Sequence, residues 1–366
     1  MHTAQSAQQG QPKPSFTEIV LTSDVPGVGI KGQKVKLTMY PSEVTQQSLI
    51  LETLIVGFKQ VGFRAEEACP EFLVDLDTGK YQVYGLNNTF KLVNVVSSIQ
   101  AAIPEVDVDR SLADYYLVER ALGGFVPAVT QWNADNSPGS LDPKAGVSKR
   151  IAAALELDKE VRVWTLYTTS ANWNANNRAT LGAGSEWTNA NGDPIADLNA
   201  RLNASAQQVT DIWFNPLVAQ AFLAHAKTRD WIKYVKGDSA PTPKEIVEAQ
   251  QNLRENIDFQ IAGYPPFHVV GSKVLNETTG ALDYILNDTV VLTSNPPGAG
   301  TSGDEIMTAK MFRRRGPNGT GYTVIERPIE QGARGLHGGT MLAAGNAEQA
   351  QMISNVCGGA IFNALA

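Results

Sequence analysis

The chain has 366 residues, 37 of them acidic and 30 basic, for a formal net charge of -7. That balance excludes a generally basic nucleic-acid binder. Charged residues reach only 18%, below the about 25% of an average soluble protein, so part of the surface is expected to meet protein rather than water.

A chain of this length is expected to divide into two or three compact units. Its two cysteines, Cys69 and Cys357, lie far apart and form no C-x-x-C pair, so both read as reduced, buried thiols. The first 15 residues lack the basic start and apolar run of a signal peptide, and no 18-residue apolar stretch follows. A soluble protein made in a reducing cytoplasm, without a membrane partner, is the expectation.

The stretch to Pro14 is poor in apolar residues and reads as an extended arm or tail. Val35, Leu37 and Met39 alternate with Lys34, Lys36 and Thr38, the period of a half-solvated strand. A helix is predicted from Ser42, with Val44, Leu51, Ile55 and Phe58 on one side and Gly62 near its end. From Tyr81 to Val118 the β-branched and aromatic clusters predict a long two-stranded excursion. Within it Glu105, Asp107 and Asp109 alternate with Val106 and Val108, so a strand would put three carboxylates on one face.

Asp142 followed by Pro143 is a strong helix start. Val147, Ile151, Ala154, Leu157, Val161 and Trp164 follow at spacings of three and four, which predicts a spine helix of about 26 residues, roughly 39 Å long. The same start recurs at Asp193-Pro194, Asn215-Pro216 and Thr242-Pro243. Strands are predicted at Phe267 to Val270, Tyr284 to Leu292 and Tyr322 to Glu326, giving an α+β arrangement over 195–345.

No chemical motif stands out. Gly27-Val28-Gly29-Ile30-Lys31-Gly32 matches G-x-G-x-x-G, but a strand follows it where a phosphate site needs a helix N-terminus. His225, His268 and His337 lack metal-ligand spacing, and neither G-x-S-x-G nor H-E-x-x-H occurs. No catalytic, cofactor or metal residue is therefore assigned. Arg313-Arg314-Arg315 is the only basic run; three charges are few beside the roughly 6 to 10 phosphate contacts of useful DNA binding. They read as an exposed loop or as an intersubunit ionic cluster.

The run Ala68-Cys69-Pro70-Glu71-Phe72-Leu73-Val74-Asp75, leading to Thr78-Gly79-Lys80-Tyr81, resembles the lead-in segment of tailed-bacteriophage major capsid proteins with the Hong Kong 97-type fold. Further elements follow in order. Tyr115 to Leu122, Val126-Pro127 and Asn133-Ala134-Asp135 resemble the return from that family's extended loop; Glu160-Val161-Arg162 resembles a Glu-x-Arg step on its spine helix. Trp187, Asp193-Pro194-Ile195 and Asp197, then Phe312 to Gly316, then Cys357 to Ile361 with Asn363-Ala364, resemble its later elements. The resemblance spans about residues 65 to 366. Ala101-Ala102-Ile103-Pro104 stands where an Arg-x-Pro-Gly is expected, and residues 1–67 have no counterpart in the pattern.

The resemblance implies an N-terminal arm (1–67), a lead-in segment and extended loop (68–118), and a peripheral domain with the spine helix (119–194). An axial domain (195–345) and a C-terminal segment returning to the shell body (346–366) complete it. It implies a major capsid protein of the virion, assembled in the host bacterial cytoplasm. Such a protein self-assembles into hexamers and pentamers of an icosahedral shell around double-stranded DNA. Portal, scaffolding or decoration proteins are the other partners implied, with no cofactor and no catalysis. Glu105, Asp107 and Asp109 facing Arg313, Arg314 and Arg315 of a neighbour is the intersubunit contact expected. The alternatives are an encapsulin-like nanocompartment shell and a hydrolase using His268 or His337.

Overall fold

In the computed structural model the described residues are 62–86, 111–137, 142–236, 258–261, 263–296, 305–316, 322–334 and 336–365. The predicted strand at 34–40, the helix from Ser42, the Gly27–Gly32 motif, the helix at Thr242-Pro243 and the acids Glu105, Asp107 and Asp109 lie outside them. All described residues fall within one compact unit, Gln47–Ala366.

A four-residue helix α1 (Ala65–Ala68) leads into β1 (Glu71–Val74) and a hairpin of β2 (Thr78–Val83) and β3 (Ser111–Tyr116). The chain returns through β4 (Val118–Pro127) and α2 (Ala128–Asn136) to the spine helix α3 (Pro143–Thr168). The spine has the predicted 26 residues, and its Asp142 side chain accepts from the Lys144 N–H at 3.0 Å. After β5 (Arg178–Thr180) come α4 (Pro194–Ala204), β6 (Asp211–Phe214), α5 (Pro216–Ala224) and α6 (Ala226–Lys236). Here too the expected caps form: Asp193 accepts from Ala196 N, and Asn215 from Val218 N.

The remaining elements are short strands β7 (Phe267–Val269), β8 (Lys273–Leu275), β9 (Leu282–Tyr284) and β10 (Val290–Thr293), then β11 (Ala309–Arg314) and β12 (Thr323–Ile329). A 14-residue strand β13 (Gly339–Met352) and β14 (Gly359–Phe362) close the chain. The predicted strand from Tyr284 to Leu292 is interrupted by a turn with Asn287 at φ +37°, so its two ends belong to different sheets.

Two sheets organise the unit. In the first, β13 is central: β4 runs antiparallel along one edge, while β11 and β12 share the other edge end to end. β1 adds in parallel outside β11. The second is mixed, in the order β5-β14-β10-β6-β7. Thus β11, β12 and β13 return to the sheet beside the spine helix, and the expected boundary at 345 falls inside β13.

The N-terminal half of α3 lies across β4, β12 and β13, where Ile151 and Ala152 meet Val126, Val324 and Leu342. The approach is close. A Cβ on Gly124 would collide with Val147 Cγ1, so the absence of a side chain there lets the helix seat on β4. The C-terminal half inserts Val163, Trp164 and Tyr167 into a core shared with Trp173, with Trp213 and Val291 of the mixed sheet and with Met311 of the first. A second core packs α4 and α5 on the mixed sheet through Trp187, Phe214, Phe222 and Phe267.

The spine's buried face departs from the predicted stripe. Ala154 is exposed and Leu157 and Val161 are half-buried, whereas Lys159 and Glu160 are buried beside Val163 and Trp164. Two charges enter the interior because partners from elsewhere in the chain meet them. Cys69 and Cys357 are buried and unpaired, as expected, and burial pushes both thiols up.

Candidate functional site

The lead-in segment, the spine and the first sheet meet around an ionic core. Glu348 projects from β13 and is 1% exposed. It accepts from Arg313 of β11 at 2.8 Å (Nε) and 2.6 Å (Nη2), from Asn346 Nδ2 at 2.8 Å, and from Arg162 of the spine. Arg313 is 3% exposed, its remaining arm reaches Glu71 of β1 at 2.6 Å, and its guanidinium lies over the Tyr322 ring. Arg162 also holds Asp158, to which Arg120 of β4 extends. Burial alone would raise the Glu348 carboxyl; Arg313 and Arg162 outweigh it and hold the group below its ordinary range. At Glu71 burial prevails over Arg313, and the carboxyl sits high.

One helical turn away the spine grips the lead-in segment. Glu160 accepts from the backbone N–H groups of Arg64 at 3.0 Å and Ala65 at 2.8 Å and from Trp164 Nε1 at 2.7 Å, so a spine carboxylate caps the first turn of α1. Burial still raises this carboxyl, because the three donors offset only part of the desolvation. Lys159 donates to Glu66 at 2.6 Å and to Glu156 at 2.9 Å, and Tyr167 donates to the Ala68 carbonyl at 2.6 Å. The Glu160 and Arg162 singled out by sequence are both engaged within the chain.

The arginine triplet does not act as one group. Arg313 is a correction to the expected intersubunit cluster: β11 is flanked by β1 and β13, and its guanidinium is consumed by Glu348 and Glu71 of its own chain. Arg314 and Arg315 stay at the surface, where they pair with Asp77 at 3.0 Å and Asp75 at 3.6 Å in the turn before β2. The acids Glu105, Asp107 and Asp109 lie outside the described residues, and no pairing with them is placed. Lys80 faces Asp114 across the hairpin.

Beside this core the hairpin, the turn before it and β4 expose large apolar side chains: Leu76, Leu112, Tyr116, Val118 and Leu122. Sequence reasoning missed these as a group. Their signal was the apolar residues left on both faces of β3 and β4, where a half-solvated strand would alternate.

Among the described residues the histidines hold no common site. His225 and His337 lie apart from His268, His225 bonding to the Asn189 carbonyl and His337 standing in the turn between β12 and β13. His268 sits on β7 with each ring nitrogen 2.9 Å from a carboxylate, Asp258 on one side and Asp211 on the other. Among the described residues, no cluster of His, Cys, Asp or Glu is arranged to hold a metal ion, and no helix is long and apolar enough to cross a membrane.

No protein-family model matches the sequence, and no curated protein is similar to it in sequence. Solved structures are similar in fold. A phage-related protein from Bordetella bronchiseptica RB50 superposes with a TM-score of 0.63 at 18% identity, covering 88% of this chain and 99% of that one. A proposed capsid protein of a prophage from E. coli CFT073 gives 0.54 at 13% identity, covering 87% and 99%. The chain has the fold of phage capsid proteins. The capsid protein of a native GTA particle shares this capsid fold at a TM-score of 0.51 and 12% identity, over 92% of this chain and 99% of its own.

Proposed function

We propose that this chain is a major capsid protein that self-assembles into hexamers and pentamers of an icosahedral shell enclosing the double-stranded DNA of a tailed phage. The observation that carries the reading is the end-to-end fold correspondence with a phage-related protein and a proposed prophage capsid protein, which leaves almost nothing of those chains uncovered. On this reading α3 with the sheet centred on β13 forms the peripheral domain, and the mixed sheet with α4 to α6 forms the axial domain. Residues 1–67 are an arm whose last residues, Arg64 to Glu67, join the lead-in segment through α1, and the hairpin β2-β3 is the base of an extended loop. The apolar side chains on β3 and β4 are then subunit contacts, which suits a surface low in charge. The protein acts structurally. It resides in the virion shell after assembly in the bacterial cytoplasm, with portal, scaffolding or decoration proteins as further partners.

A negative chain suits a container that must release its genome, because each phosphate neutralised adds steeply to affinity. Electron microscopy of the purified protein tests the reading: closed particles of uniform size are expected, and a stable small oligomer with no particles would overturn it. Nuclease-protected DNA within particles from infected cells separates a virion shell from an empty cage.

A further inference from the structure

His268 bridges two aspartates from separate parts of the chain. Its Nδ1 is 2.9 Å from Asp258 Oδ2, its Nε2 is 2.9 Å from Asp211 Oδ1, and its ring stacks on Trp213 with centroids 4.4 Å apart. A neutral imidazole carries one N–H and one lone pair. In that form one of the two contacts would set a lone pair against a carboxylate acceptor. Two ring N–H groups satisfy both sides, so the geometry calls for the imidazolium.

The bridge continues on both flanks. Asp258 accepts from Arg64 Nη2 at 3.2 and 3.3 Å and from the Val269 N–H at 3.3 Å, while Arg64 Nη1 also reaches Glu67 at 2.6 Å. Asp211 accepts from the Thr210 hydroxyl at 2.6 Å, and the buried Tyr167 phenol of α3 feels its charge. The ionisable groups around the ring are therefore Asp211 on β6, Asp258 in the 258–261 segment, Arg64 and Glu67 in the lead-in segment, and Tyr167 on the spine.

We propose that His268 is a pH-sensitive tie which, as imidazolium, joins Asp211 to Asp258 and through Asp258 holds Arg64 and the lead-in segment against the mixed sheet. Loss of the proton removes one of its two bonds and loosens that hold. Burial works against the ring's charge, but the two aspartates outweigh it and hold its pKa above the ordinary value of about 6.5. The stabilisation is thus complete below about pH 6.5 and lost as pH rises through the raised folded value. Acid tightens this joint and alkali releases it, opposite to a joint built on a paired carboxylate alone.

Hydrogen–deuterium exchange of the full chain, corrected for the intrinsic pH dependence of exchange, tests the tie. Between about pH 6 and about pH 9, protection of peptides covering 62–70 and 258–269 should fall in the unmodified protein. It should be flat with pH in His268→Gln, whose amide carries no titrating proton. Asp211→Asn leaves one carboxylate, which a neutral ring can satisfy, so the midpoint should drop towards the ordinary histidine value. Protection that does not change with pH in the unmodified protein overturns the proposal. So does a pH dependence that persists in His268→Gln, or, where that variant does not fold, an unmoved midpoint in Asp211→Asn.

Discussion

Replacing Glu348 by Gln tests whether the ionic core holds the lead-in segment, the spine and the first sheet together. The substitution keeps the volume and removes the charge. Arg313, 3% exposed, then retains only Glu71, and Arg162 retains Asp158. Breaking a buried pair by removing one partner costs about 3–5 kcal/mol, because it strands the other charge in a low dielectric. The surviving carboxylates place Glu348→Gln at the lower end, about 3 kcal/mol. Urea unfolding followed by tryptophan fluorescence reads it, since Trp164 and Trp213 sit in the adjoining core. The triple variant Arg313→Met, Glu348→Leu and Glu71→Gln should recover much of the loss, because Arg162 keeps Asp158 and no buried charge is left without its partner. A single-variant loss below about 1 kcal/mol, the level of a surface pair, would refute the reasoning. The acid limb gives a second reading: the Glu348 carboxyl is depressed when folded, so its contribution is present above the unfolded value of about 4.3 and lost as pH falls through the lower folded one.

Charge reversal should separate the arginines into two classes: Arg313→Glu abolishes soluble folded protein, while Arg314→Glu with Arg315→Glu leaves a cooperative melt, each surface pair being worth at most about 1 kcal/mol. If the chain assembles as proposed, a particle yield that falls in the latter variant while its melt is kept assigns these two to contacts between subunits. Glu160→Ala strips the cap from α1 and leaves two buried donors and one half-buried donor unmet, a loss of about 1–3 kcal/mol, with exchange at 64–69 rising first. Gly124→Ala forces a methyl against Val147 and should cost about 1–3 kcal/mol; adding Val147→Ala should restore part of it, and no recovery in the pair would count against the close helix–strand seating.

What could be read from the sequence was what depends on neighbours in the chain. Asp142, Asp193 and Asn215 each precede a proline, and each caps a helix, because cap chemistry is complete within four residues. The strand β13 was not legible. Its run from Gly339 to Met352 is rich in Ala, Gln and Gly, and it is extended because β4 on one side and β11 and β12 on the other supply its backbone partners. Lys159 and Glu160 were equally hidden. Glu66, the partner of Lys159, lies 93 residues earlier, and the amides that Glu160 caps lie 95 and 96 residues earlier.

The same burial sharpens the meaning of the composition. Only 18% of residues are charged, and Lys159, Glu160, Lys310, Arg313 and Glu348 are withdrawn into the interior. The solvent face is therefore poorer in charge than the composition implies, while Leu112, Tyr116, Val118 and Leu122 remain exposed on the hairpin and the β4 edge. A lone subunit with such a face has little to keep it from associating. The internal ionic core makes the opposite contribution. Buried charges tolerate few wrong partners, so they fix how the lead-in segment and the sheet meet the spine before any neighbour arrives. On the proposed capsid reading, an interior fixed by ionic pairs beneath exposed apolar strands suits a subunit that folds alone and is then covered by copies of itself.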